Sequence, residues 1–502
     1  MKRLKRYGPL IGVLLAWLLL FSPRLLPGIT IKSLAWVAIS AFLFWLLAFR
    51  RWSLWLAVVV LALAGVLDIF HVYFFGKLTD EYLLATALRT TPAEVADFFS
   101  MLPLRPLLLS ALWLVWCVLS GRWLARVAPG VLRGHRFLRW TWSAPVLAWL
   151  ALVLANAWGS DALRWQIHDK TYKIYPTHLA WAAWKYHLMG TAVMDPPLLP
   201  VAAAAPAQAD TVVVVLGESA SAQRWSLLGY QGDDTNAPLR GLDGLGVSTV
   251  LARGLNTAGA LPFVLTGQAS ADSVRHRAPS FLDLAHQAGY KVFVLSNSRN
   301  APVADFFDQV LSRSTAVYRK LGDGGPHDGI LTPAYEQALA DPAPRKLIVL
   351  HTFGSHEIVQ DRYPPELARF ADPYDNSILY TSTLLKQWTG MLDASGARRS
   401  VLLYTSDHGL IMPPCSSDYR HGRSLASLEV PFLAWANAGA RALLPALLPP
   451  GGHSNALVAE GVIRAVGYGA VLQQPGWPGS ANPTFEGHSW QALRGLDACT
   501  LR

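Results

Sequence analysis

After residue 210, five polar side chains stand at or just beyond the ends of apolar runs, where their chemistry can be pooled. TVVVVLGES (211–219) carries Glu218, LIVLHTFGSH (347–356) carries His351 and His356, and VLLYTSDHG (401–409) carries Asp407 and His408. Glu218, Asp407 and His408 together make a mixed oxygen and nitrogen donor set of the kind that suits Zn²⁺ or Mn²⁺. GLNTAGALP (254–262) adds Thr257 at the head of a small-residue segment that can open a helix. A hydroxyl there, beside a metal, can act as a nucleophile; the plain alternative is that Thr257 caps the helix. Adjacent Asp407 and His408 can share one ion only where the chain turns, and Gly409 permits a turn.

Buried parallel strands read as short continuous apolar runs. Such runs are Thr211–Leu216, Lys291–Leu295, Lys346–His351 and Val401–Thr405, with helical stretches between them at 279–288, 332–340 and 376–393. Alternation of this kind predicts a doubly wound α/β sheet, which gathers ligands beyond the carboxyl ends of its strands. Asp372 and Asp375 precede the third helical stretch, and Asp375 is the better placed to cap it.

The first part of the chain has a different physics. Hydrophobic residues make up 52% of the 502 and charged residues only 15%. Five apolar stretches, near 8–27, 31–49, 53–75, 104–127 and 142–159, match the length of membrane spans. Lys2, Arg3, Lys5 and Arg6 precede the first, Arg50 and Arg51 follow the second, and Arg122, Arg126, Arg133, Arg136 and Arg139 lie at the end of the fourth and after it. These segments share one side, the cytoplasm, by the positive-inside rule. The loop with Asp80, Glu81, Glu94 and Asp97 then lies outside, as does everything after the fifth span. The net charge of +10 is therefore topological, and a nucleic-acid partner is excluded. The organisation reads as a five-span domain over 1–160, an aromatic interfacial segment and a Pro/Ala-rich linker over 161–210, and an α/β domain over 211–502. Cys117 lies in an apolar run, while Cys415 and Cys499 are open to a disulfide or to two separate thiols.

Beyond these readings, the chain resembles the bacterial phosphoethanolamine transferases of the sulfatase/alkaline-phosphatase superfamily. VVVLGESASAQRWSLLGY (213–230) resembles the family's strand, Gly-Glu and downstream Gly-Tyr pattern. NTAGALP places Thr257 five positions before Pro262, and HTFGSHEIVQDRYPP (351–365) resembles the Gly-Ser-His stretch followed by Arg-Tyr-Pro. YDNSILYTS (374–382) matches a family signature almost residue for residue, and it is followed by SDHG (406–409), Tyr419–Gly422 and Val430–Pro431. There are departures. Leu410 stands where Glu is common after Asp-His-Gly, Glu357 where Gly is usual, and a Cys pair found in many lipid A-modifying members is absent. Arg299 or Asn300 stands in for a usual Lys.

The resemblance implies an N-terminal five-helix transmembrane domain and a C-terminal sulfatase-like domain in the periplasm, anchored in the bacterial inner membrane. It implies Zn²⁺, with Mn²⁺ as the substitute, on Glu218, Thr257, Asp407 and His408. Thr257 is the nucleophile, His356 binds substrate or an additional zinc, and His421 lies near the substrate phosphate. The implied reaction moves phosphoethanolamine from phosphatidylethanolamine to lipopolysaccharide, at lipid A or a core sugar, through a covalent phosphothreonine. Two alternatives stand beside it: transfer of phosphoglycerol or phosphoethanolamine to a periplasmic glycan, and a catalytically inactive sulfatase-like membrane protein. A sulfatase proper needs a convertible Cys or Ser, and position 257 is neither.

Overall fold

The structure is a computed structural model that describes residues 2–89, 102–133, 172–192, 205–267, 279–297, 314–322, 327–473 and 479–501. The apolar stretch 142–159 and residues Glu94, Asp97, Arg136, Arg139, Arg299 and Asn300 lie outside these. The chain divides into two compact units, Met1–Ala87 with Phe98–His187, and Leu88–Asp97 with Leu188–Arg502. The aromatic segment expected to lie between domains is thus split: its helix Thr177–Ala192 begins in the first unit. Residues 205–210 are no free linker, because Ala205 N–H donates to Gly467 O and Gln208 N–H to Ala465 O.

In the first unit, Arg51–Phe75 and Leu104–Val131 are long and apolar enough to cross a membrane. Leu56, Leu63, Leu112 and Leu119 on these two helices are exposed, an outward apolar face that suits lipid. The first two expected spans are shorter helices, Lys2–Leu19 and Ile31–Leu43, each followed by a 3₁₀ turn, Ser22–Leu25 and Trp45–Phe49. The apolar runs extend through those turns, and composition alone cannot mark where the helical hydrogen bonding tightens. Some of the polar groups buried inside the unit are paired. Asp68, fully buried, accepts from Thr79 N–H at 3.0 Å and Thr79 Oγ1 at 2.8 Å, and Trp17 Nε1 donates to Ala41 O at 2.7 Å.

The second unit is built on a seven-stranded sheet in the order β2-β7-β6-β1-β5-β3-β4. The strands are β1 (Thr211–Gly217), β2 (Leu245–Leu251), β3 (Lys291–Ser296), β4 (Val317–Lys320), β5 (Lys346–His351), β6 (Ser400–Ser406) and β7 (Glu429–Ala436). β1, β3, β4, β5 and β6 are parallel, and β7 and β2 close one edge antiparallel. β1 lies between β5 and β6 and every one of its residues is buried, which is why Thr211–Val215 carries no alternation. Helices Phe281–Gln287, Thr332–Ala340 and Pro373–Ala394 fall where the sequence expected them. The last is capped by Asp372, whose side chain accepts from Tyr374 N–H, and not by Asp375. Pro373 at the first helical position moves the start forward, and Asp375 instead receives Arg224 and Tyr230. Cys415 and Cys499 form a disulfide, which decides between the two readings left open.

Candidate active site

The register of the central strands assembles the site. Gly217 of β1 pairs with Ser406 of β6, so the next residues, Glu218 and Asp407, leave the sheet side by side, and His408 follows. Ligand atoms of Glu218, Asp407 and His408 lie within 4.8 Å of one another, and all three residues are buried. Leu216 pairs with His351 at the end of β5, and the loop beyond it folds back over Glu218. Gly354 is required there: a Cβ would sit 2.4 Å from Glu218 O. Gly409 has a different use from the one expected. It allows Ala426 O to approach to within 2.3 Å of where a Cβ would be.

Thr257 is the first residue of helix Thr257–Thr266, but the cap is Asn256, whose side chain accepts from Gly259 N–H at 2.8 Å. The Thr257 hydroxyl is thereby released from capping, and Oγ1 donates to Glu218 Oε2 at 3.0 Å. Glu218 Oε1 accepts from Ser219 Oγ at 2.8 Å.

His408 Nδ1 lies 2.9 Å from Gly409 O. A carbonyl only accepts, so Nδ1 carries the hydrogen and Nε2 is turned inward. There it lies 3.3 Å from Glu218 Oε1 and 3.4 Å from Asp407 Oδ2, yet among the described residues neither Nε2 nor Asp407 Oδ2 has a hydrogen-bond partner. Burial opposes protonation of His408, but Asp407 and Glu218 push it up to about 9. Burial and the Glu218 charge raise Asp407 above the usual carboxylate range. Burial would raise Glu218 too, but His408, with His356 and His421 behind it, holds it well below that range. Two carboxylates and an imidazole with ligand atoms this close, two of them unsatisfied, could together hold a metal ion.

The remaining histidines flank this set. Glu218, His356 and His421 also bring ligand atoms within 4.8 Å of one another. The His421 ring centroid is 4.8 Å from that of His408 and 5.5 Å from that of His356, which stacks on Phe353. His351 stays apart, with Nδ1 3.1 Å from Ser296 Oγ.

Several supports were not singled out in the sequence. Tyr374 OH donates to Ser219 O at 2.6 Å and accepts from Ser221 N–H at 2.8 Å, clamping the turn after Glu218. Asp328 accepts from Phe353 N–H and Gly354 N–H, and Asn455 Nδ2 donates to Asp407 O, each at 2.8 Å. Glu357, noted in the sequence only as a departure, accepts from His421. The Tyr374 clamp gives a physical meaning to the YDNSILYTS string. Ser219 and Ile358, next to Glu218 and Glu357, have φ of 59° and 61°. A left-handed backbone at a non-glycine residue costs roughly 1–2 kcal/mol, and it sits on both loops that carry the acids.

Sheet order and site geometry together define a class. Residues 210–459 match the family model described as Sulfatase, and the α/β domain of this chain belongs to that family. Putative transferase YhbX of Escherichia coli (strain K12) is 32% identical over 242 residues, 45% of this chain; the match spans 43% of that relative's length. Other curated relatives carry the name phosphoethanolamine transferase, so the resemblance read from the motifs is borne out. Two solved structures share the fold. The integral membrane lipooligosaccharide phosphoethanolamine transferase A from Neisseria meningitidis has a TM-score of 0.58 at 19% identity, covering 85% of this chain and 87% of that one. The C-terminal periplasmic domain of EcEptC from Escherichia coli, in complex with Zn, has a TM-score of 0.50 at 23% identity, covering 58% of this chain and 96% of that one.

Proposed function

We propose that the protein transfers phosphoethanolamine from phosphatidylethanolamine to a lipopolysaccharide acceptor, lipid A or a core sugar, through a covalent intermediate on Thr257. The observation that carries this is the Thr257 hydroxyl, freed from capping by Asn256 and bonded to Glu218 beside Asp407 and His408. Glu218, Asp407, His408 and Thr257 Oγ1 would hold a divalent cation, Zn²⁺ in the first instance and Mn²⁺ as a substitute. When bound, it supplies Lewis-acid character that lowers the pKa of the hydroxyl and offsets phosphoryl charge.

The chain's own groups account for the rest. The Thr257 proton lies on its hydrogen bond to Glu218 Oε2, the path by which it leaves. Oγ1 forms the new bond to phosphorus while the bond from phosphorus to the diacylglycerol oxygen breaks. His356 or His421 gives that oxygen a proton as it departs. An acceptor oxygen then attacks the phosphothreonine and Thr257 is restored. The five-span reading, with the α/β domain in the periplasm of a bacterial inner-membrane protein, fits this chemistry, because donor and acceptor are both amphiphiles held at one surface. The Cys415–Cys499 disulfide supports an oxidising compartment for that domain.

The test uses the full chain in vesicles that contain phosphatidylethanolamine and lipid A. Wild type adds one phosphoethanolamine mass to the lipid A and, with acceptor omitted, to the tryptic peptide that begins at Gly254. Thr257→Ala folds and keeps its metal but loses at least about 10³-fold in rate. A Thr257→Ala protein with full transfer removes the assignment.

A further inference from the structure

Two departures from the family pattern concern carboxylates around the same cluster. Leu410 brings none, since its side chain is buried in the apolar core. Glu357 brings one that the pattern lacks. Its Oε1 accepts from His421 twice, from the backbone N–H at 2.5 Å and from ring Nδ1 at 2.7 Å. Both side chains are largely enclosed, 13% exposed for Glu357 and 19% for His421.

This double contact has a defined chemical consequence. An ionised carboxylate only accepts, so Nδ1 of His421 must carry a hydrogen. The ring nitrogen left over is Nε2. The backbone N–H bond ties the same oxygen to the His421 main chain, so the ring cannot turn about its side-chain bonds without losing a charged hydrogen bond. The charged and titratable groups around this pair are His356, His408 and Glu218. The Glu357 contact reaches across 64 residues of sequence. It has the form of the carboxylate–histidine pairs by which proteins fix the tautomer and aim of a working imidazole.

We propose that Glu357 is a positioning residue for His421, selecting its Nδ1–H tautomer and fixing the ring so that Nε2 faces the transferred phosphoryl group. This assignment rests on the transferase reading above. It makes Glu357, on the loop after β5, the carboxylate that orients His421.

The experiment compares E357A and E357Q with wild type in the full chain, reading kcat, KM for phosphatidylethanolamine, zinc per chain and melting temperature. Gln keeps an acceptor oxygen for both N–H groups; Ala does not. E357A should lose about 10- to 100-fold in kcat with KM within about twofold. Its zinc content and melting temperature should stay unchanged, and E357Q should retain most of the rate. The assignment is overturned if E357A keeps its kcat, or if E357A and E357Q fall together. It is also overturned if the loss appears in KM alone or follows loss of zinc or of fold. A metal-loaded wild type that transfers nothing to any acceptor removes the transferase reading and this assignment with it. An active wild type with an unaffected E357A removes this assignment alone.

Discussion

His408 Nε2 points at two carboxylates and bonds to neither, with its other nitrogen committed to Gly409 O. A divalent cation held there would satisfy both His408 Nε2 and Asp407 Oδ2. Removing divalent metal by chelation should therefore lower the melting temperature of the α/β domain by several degrees, and Zn²⁺ should restore it. Binding at a thousandfold excess over Kd is worth about 4 kcal/mol. Scanning calorimetry of the full chain before and after chelation checks this, and identical transitions would leave the site without a cation. At this scale the acids and the Asp-His pair were legible, because each stands directly after a buried apolar run and strand ends converge in such sheets. The orientation of His421 was not. Its partner Glu357 is set by where two loops meet, and no spacing rule links positions 357 and 421.

Elements were legible where burial is uniform. β1, β3, β5 and β6 read as strands because both faces are covered and apolar residues run without a break. Caps were read less well. At Asp372 a Pro fixes the first turn, and at Thr257 the residue before it has the better capping side chain. The helix Pro373–Ala394 does more than cover the sheet, since its Tyr374 hydroxyl holds both Ser219 O and Ser221 N–H. Tyr374→Phe keeps the ring but leaves two buried backbone groups unpaired, at a cost of about 1–3 kcal/mol. Chemical denaturation should show that loss, and kcat should fall with it as Glu218 is held less firmly. A Tyr374→Phe protein of unchanged stability would mean water replaces the hydroxyl.

For the whole molecule, the division into an apolar helical part and an α/β part was legible from composition, because lipid and water select different residues over long windows. The number of spans was not read off as cleanly. Two described helices have spanning length, while Lys2–Leu19 and Ile31–Leu43 pass into 3₁₀ turns. The disulfide between Cys415 and Cys499 was one of two readings, since a pairing depends on a fold that brings the ends of an 84-residue separation together. Replacing both cysteines with Ser should cost about 2–5 kcal/mol by releasing that loop in the unfolded chain. Equilibrium unfolding of the double variant against wild type checks it, and equal midpoints would deny the bond a stabilising part.

The placement of β1 carries a consequence for how this molecule is made. Val213 emerges early, but its two neighbours are Ile348 and Leu402, and both arrive much later in synthesis. The valine run therefore waits without partners while most of the domain is still being synthesised, a sticky segment of high β-propensity. Closing contacts so distant along the chain is slow. Biogenesis rather than final stability is thus the step at which this protein is most exposed to aggregation.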